Sequence, residues 1–265
     1  MEKSLKFCLS FLGLLIYSTS LAQVNCNIFT TDQCKESCEK SNFAEKIEWT
    51  QYAQELFDEA IKLCPTNDFA FKEKTVPYLR SEDFVNWKKL IDKAVKLDPK
   101  KNLGHRGWGK FQFLHDYSGA IRDLDELKKY SPEDLGRSRN GDSDLDIVKA
   151  MSYSGFGQKE KAAGIIERLL TARGYVKGVF DHYQLGVTYF QLGKYDKALE
   201  NFEQQSKEYD FAENIYFKSK VSKIRNKDYL DLKMLALQTY DAGKVMKDGN
   251  TQHFNKVYRK QIEEL

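Results

Sequence analysis

Three of this chain's four prolines, Pro65, Pro99 and Pro132, stand 34 and 33 residues apart. Proline lacks a backbone donor and clashes with the preceding turn, so it ends a helix. A helix stop that recurs at a near-constant interval is a repeat boundary. The flanks of two stops agree: Ala60-Ile-Lys-Leu-Cys-Pro65 returns as Ala94-Val-Lys-Leu-Asp-Pro99, and Tyr130-Ser-Pro132 supplies the third. A unit of this length cannot bury its own apolar face, so neighbours must stack. The stops therefore predict an all-α solenoid of about five or six helix pairs.

The stretch Asp181–Phe202 shows what one unit looks like. Tyr183, Leu185, Gly186, Tyr189, Phe190 and Leu192 keep one side of a first helix apolar or small. Gly193 breaks it, because glycine tolerates the backbone angles of a helix end. Tyr195, Ala198, Leu199 and Phe202 then open a second apolar face. Gly186 and Ala198 are small where the two helices cross, which lets the backbones approach. The order His182-x2-Leu185-Gly186-x2-Tyr189, then Ala198-x3-Phe202, resembles the tetratricopeptide repeat, a helix–turn–helix of 34 residues. His182 stands where that family usually has Trp. His105-Arg-Gly-Trp-Gly-Lys-Phe111 followed by Asp116-Tyr-Ser-Gly-Ala-Ile121 resembles a common variant of the repeat, and Pro132 falls where the family places its helix-ending proline.

The resemblance implies a right-handed α-solenoid over 34–250, with units at about 34–67, 68–100, 101–134, 143–176, 179–212 and 213–245. It is most specific in the third and fifth units. Residues 23–33 read as an extended lead, with Thr31 or Asp32 capping the first helix. Pro77 predicts a kinked or short first helix in the second unit. Residues 133–142 form the longest insertion, with a turn signal at Asn140-Gly141. Asp142, Asp144 and Asp146 suggest calcium, but Ile147 stands where an EF-hand loop needs Gly and the closing Glu is absent. Asp142 or Ser143 is instead expected to cap the next helix. Residues 251–265, with Phe254, Val257, Tyr258 and Ile262, read as a last helix covering the open end.

The N-terminus is a separate object. Lys3 and Lys6 precede an apolar run, Phe7–Tyr17, too short to span a bilayer comfortably. Ser20-Leu-Ala22 offers the small residues of a cleavage site, so 1–22 reads as a signal peptide cut after Ala22, the rival being a retained anchor. Cys26 lacks the preceding small residues of a lipoprotein site. Without Cys8, four cysteines remain, Cys26, Cys34, Cys38 and Cys64, an even number consistent with an oxidising compartment. Three connectivities are open. Cys34–Cys64 with Cys26–Cys38 is preferred, because Cys34 opens one helix and Cys64 closes its partner. A zinc site is the alternative, with no histidine nearby. The expected location is periplasmic or envelope-associated.

Lys and Arg number 42 against 39 Asp and Glu, interspersed, for a net charge of +3. That balance gives no basic face for nucleic acid. The four histidines, His105, His115, His182 and His253, form no HExxH, and no nucleophile elbow or phosphate loop occurs. Neither catalytic residues, metal nor cofactor is expected, and the chain is read as a non-enzyme.

What remains is recognition. Proteins resembling these repeats hold an extended peptide or helix in the concave face, lined by the first helix of each unit. The residues that the resemblance places there are Phe180, Tyr183, Val187, Phe190, Phe217 and Val221, with His105 and Arg106, beside Asn102, Gly109 and Gln112, in the third unit. The family's Lys, Arg and Asn clamp for a terminal carboxylate is absent: Ile147, Met151, Tyr183 and Val187 occupy matching places. An apolar, aromatic groove is expected, and packing alone is the competing role for its rings. The leading function is an exported scaffold or adaptor for a protein or peptide partner, reaching a membrane surface only through that partner. Alternatives are an assembly factor for envelope proteins, or a ligand-binding or enzymatic protein with its site at 133–142.

Overall fold

The computed structural model describes residues 24–139, 141, 143–246 and 254–265. The expected signal peptide lies outside the described residues, as does Asp142. Among the described residues the chain is all-α, with one isolated bridge between Arg137 and Asp144 and no strand.

The helices pair as hairpins: α1 (Asp32–Lys46) with α2 (Gln51–Leu63), α3 (Asp68–Arg80) with α4 (Phe84–Leu97), and α5 (Pro99–Gly109) with α6 (Tyr117–Tyr130). Then come α7 (Leu145–Gly155) with α8 (Lys159–Thr171), α9 (Asp181–Gln191) with α10 (Tyr195–Glu208), and α11 (Ala212–Ile224) with α12 (Leu230–Asp241). A short α13 (Arg259–Glu263) follows. Each helix packs on its hairpin mate and on the next hairpin, and the first helices of successive hairpins also touch one another. The first helices therefore form an inner layer and the second helices an outer one, as in a solenoid.

Local chemistry explains the boundaries. From α1 to α7 each helix opens on a Thr, Asn or Asp whose side chain accepts a first-turn backbone N–H: Thr31, Thr50, Asn67, Asp83, Asp98, Asp116 and Asp144. Turns within the last five hairpins hold one left-handed residue each, at Glu82 (φ 63°), His115 (φ 51°), Gly157 (φ 87°), Gly193 (φ 71°) and Asn226 (φ 54°). Only two of these are glycine, so the repeat geometry is enforced by packing as well as by sequence.

Several expectations are corrected. The lead is not uniformly extended, since Cys26–Ile28 makes one 3-10 turn, whereas the cap of α1 is Thr31, one of the two expected residues. Pro77 does not shorten α3, which runs on to Arg80 with Val76 and Leu79 buried; burial on both sides of the proline outweighs one lost donor. Pro99 begins α5 at a position whose N–H needs no partner, and Asp98 closes α4 while capping α5. The cap expected at Asp142 or Ser143 is Asp144, whose carboxylate accepts from Asp146 N at 2.8 Å. The tail is helical only over Arg259–Glu263 among its described residues. Asn255 is left-handed (φ 63°), and the carbonyls of Phe254 and Asn255 bond to side chains of α9 rather than to a helix of their own.

One apolar core runs from Phe71 to Ile262, while α1–α2 keeps a separate small core around Ala44, Leu56 and Phe57. Disulfides Cys26–Cys38 and Cys34–Cys64 pin the lead to α1 and α1 to the end of α2. The insertion folds back over the inner face. Arg139 reaches Glu48 at 2.6 Å and the buried Glu73 at 3.0 Å.

Candidate functional site

The inner face of α9 and α11 is rich in rings, and most of them pack on one another. Tyr183, Val187 and Val221 are fully buried, and Phe217 nearly so. Tyr183 meets Phe211 at 5.1 Å and Phe217 at 5.9 Å, edge-on; Phe190 meets Phe217 at 5.2 Å and Phe180 meets Phe211 at 5.2 Å. These contacts form the seam between α9, α10 and α11. Phe180 and Phe190 alone of the set keep partial exposure. Phe190, Tyr216 and Phe217 also surround the ammonium of Lys220, at 5.2, 5.4 and 5.8 Å from their centroids. Burial pushes the Lys220 pKa down.

The third-unit residues serve elsewhere. Arg106 turns to the outer layer, where its guanidinium donates to Asp123 at 2.7 and 2.9 Å and to Asp92 at 2.8 Å. It joins α5 to α4 and α6 and does not face a groove. Asn102 donates to Asp68 at 2.8 Å and to the carbonyls of Ala94 and Asp98. His105 is buried and neither ring nitrogen has a hydrogen-bond partner in the structure. Burial, then the charge of Lys72, lowers its pKa to about 4; Glu73 opposes this and Arg139 adds to it. His105 borders a cavity of about 710 Å³ between α3, α5 and the insertion, with Lys72, Glu73 and Arg139 on its wall.

The tail occupies part of the face predicted for a partner. The Tyr183 hydroxyl donates to Asn255 O at 2.7 Å, Gln184 Nε2 donates to Phe254 O at 2.9 Å, and Asn255 Nδ2 donates to Gln184 Oε1 at 2.8 Å. The Phe254 ring lies 5.6 Å from Phe111 and 5.9 Å from Tyr117. The segment thus runs across the π-helical turn Lys110–Leu114 that follows α5, across α6 and across α9, and Val257 and Ile262 are buried beyond it.

Beside the tail lies an open cavity of about 740 Å³. Its floor is Ile147, Val148 and Met151 of α7, and Phe111 and Phe254 form one wall. The opposite rim is the loop before α9, where Val176 and Val179 are 70% and 61% exposed. Polar groups are few and directed. Asp181 accepts from Gly178 N at 2.7 Å and from the Tyr175 hydroxyl at 2.8 Å, which fixes that rim. Burial raises the Asp181 pKa, and those two donors oppose the rise. Arg137 of the insertion donates to Gly141 O and Val176 O, tying the two loops together. The arrangement suits an apolar side chain entering from solvent, with a volume in the range of ligand pockets.

Ile147 and Met151 were legible as apolar groove residues from their register in the repeat. Val176 and Val179 were missed, although two valines in the glycine-bearing segment Gly174–Phe180 are a usable signal. Gln184 and Asn255 carried no signal, because their partners are about 70 residues distant.

Comparison with known proteins agrees with this architecture. Residues 179–204 match the family model "Tetratricopeptide repeat". No curated protein sequence matches. Among solved structures, the chain is similar to PilW, described as a widely conserved type IV pilus biogenesis factor, with a TM-score of 0.62, 16% identity, 77% of this chain and 94% of that chain covered. PilF of Pseudomonas aeruginosa gives 0.59, 13% identity, 78% and 99% covered. A tetratricopeptide repeat protein of Parabacteroides merdae gives 0.56, 14% identity, 88% and 82% covered. At such identities the likeness is one of fold.

Proposed function

We propose that this chain, a tetratricopeptide-repeat protein by the match at 179–204 and by its fold, is an exported, non-enzymatic adaptor that holds a protein partner on its inner face. One observation carries the reading: an open apolar cavity of about 740 Å³ on the layer of first helices, with two exposed valines at its rim. Exposed apolar side chains around a concavity mark interaction sites. The partner is an extended or helical segment that places a large apolar side chain on Ile147 and Met151. Lys220 of α11, held among the rings of Phe190, Tyr216 and Phe217 with burial alone shifting its pKa, favours a partner that carries an acidic group past the cavity to α11.

Two disulfides support passage through an oxidising compartment, and with the leader reading they favour a periplasmic or envelope location after cleavage near Ala22. Similarity in fold to a pilus biogenesis factor makes assembly of envelope proteins the setting to test first. A small-molecule role is the second reading, favoured by the cavity of about 710 Å³ under the insertion with unpartnered His105 on its wall. Native mass of the purified protein distinguishes it by a bound ligand.

The test is a photo-crosslinker at Val179, with Val85 of α4, 67% exposed, as the control. The Val179 probe is expected to capture one dominant protein from envelopes, and the Val85 probe none. With the crosslinker moved to the neighbouring exposed Val176, Val179→Asp is expected to lower capture about tenfold without a change in melting temperature, because the residue is exposed. Equal capture at both positions would sink the reading. Tyr183→Ala is unsuited to this test, since it empties a core position.

A further inference from the structure

The contacts of the tail have the form of peptide recognition. Side chains of α9 read two successive backbone carbonyls, a carboxamide pairs with a carboxamide, and a phenyl ring enters an aromatic corner made by Phe111, in the turn after α5, and Tyr117 of α6. Yet the segment is lightly held. Phe254, Asn255 and Lys256 keep partial exposure, Tyr258 is exposed, and Val257 is the one fully buried residue between 254 and 258. Segments with few buried contacts open at low cost. Phe254 also walls the open cavity, so the seat of the tail and the cavity are one continuous surface.

We infer that the face formed by the turn Lys110–Leu114 after α5, by α6 and by α9 is an extended-peptide site, that residues 254–258 fill it in cis, and that a partner segment of the same chemistry, a phenyl ring followed by a carboxamide, displaces them. This rests on the adaptor reading and adds to it the partner's sequence character and its control. A tethered segment acts at an effective concentration of order ~1 mM, so a competitor's affinity is reduced by the fraction of molecules whose site is filled. The tail therefore sets a threshold that weak or mismatched peptides do not cross.

The experiment uses the full chain with its disulfides intact and a fluorescein-labelled peptide of residues 251–262, read by anisotropy. The double variant Phe254→Ala, Asn255→Ala is expected to bind the peptide at least about tenfold more tightly than the wild type. Adding Gln184→Ala to that variant is expected to abolish the gain, and a peptide with Ala in place of its Phe is expected not to bind. Circular dichroism checks that each variant folds; should the double variant melt, Asn255→Ala alone takes its place. A folded variant that binds the peptide no better than the wild type overturns the proposal. So does a wild type of twice the expected mass whose tail crosslinks to a second copy. A partner captured at Val179 with no peptide binding would remove the cis-ligand proposal and leave the adaptor reading. Peptide binding with no captured partner would support the site and count against the adaptor.

Discussion

His105 shows what burial does to a titratable residue left without a partner. Its ring is buried, both nitrogens lack partners, and Lys72, Glu73 and Arg139 are the charges facing it. Its pKa of about 4 lies below the ordinary 6.5, so the unfolded chain binds the extra proton between those values. Stability is therefore intact above pH 6.5 and lost as pH falls towards 4, by about 3 kcal/mol from this group. Urea unfolding across that range is expected to show the loss in the wild type. His105→Leu is expected to flatten it and to be at least as stable at pH 7, because an unpaired buried polar group is removed. The same reasoning separates Tyr183 from Phe190. One is locked in the seam with its hydroxyl bonded to the tail; the other keeps a surface.

At the scale of the element, the hairpin α9–α10 depends on two small residues. A methyl group at Gly186 would lie 2.5 Å from Cε1 of the fully buried Phe202. Gly186→Ala is therefore expected to cost about 1–3 kcal/mol by overpacking. Gly164, inside α8, faces open space, and Gly164→Ala is expected to stabilise by about 0.5–1 kcal/mol through helix propensity. Thermal melts of the two variants should move in opposite directions. The role of Gly186 was readable in the sequence because repeat register states where two helices cross. The continuation of α3 past Pro77 to Arg80 was not, since its cause is burial of neighbours supplied by other hairpins.

For the whole molecule, a solenoid is a chain of neighbour contacts, and among the described residues α1–α2 has another hairpin on one side only. Its core is separate and small, which is where two disulfides are placed. Cys34 and Cys64 are 30 residues apart, a loop whose closure is worth about 3–4 kcal/mol in the chain-entropy account. In the variant Cys34→Ser, Cys64→Ser, hydrogen exchange is expected to speed up over α1 and α2 and to stay unchanged in α9–α11. Uniform acceleration would mean that the array unfolds as one unit instead. At the other end the tail does the covering, with Val257 and Ile262 buried.

The all-α class, the hairpin repeat, the small residues at the α9–α10 crossing and an apolar inner face followed from the chain alone. Each is set by contacts between residues close in sequence, or by a period that neighbours share. The tertiary structure decided which inner-face rings pack and which stay open. It turned Arg106 to Asp92 and Asp123 and left His105 without a partner. It also laid the tail on α9 through Gln184 and Asn255, residues whose pairing depends on how six hairpins curve before the chain returns. Periodicity specifies a face; only the completed superhelix brings a distant segment to it.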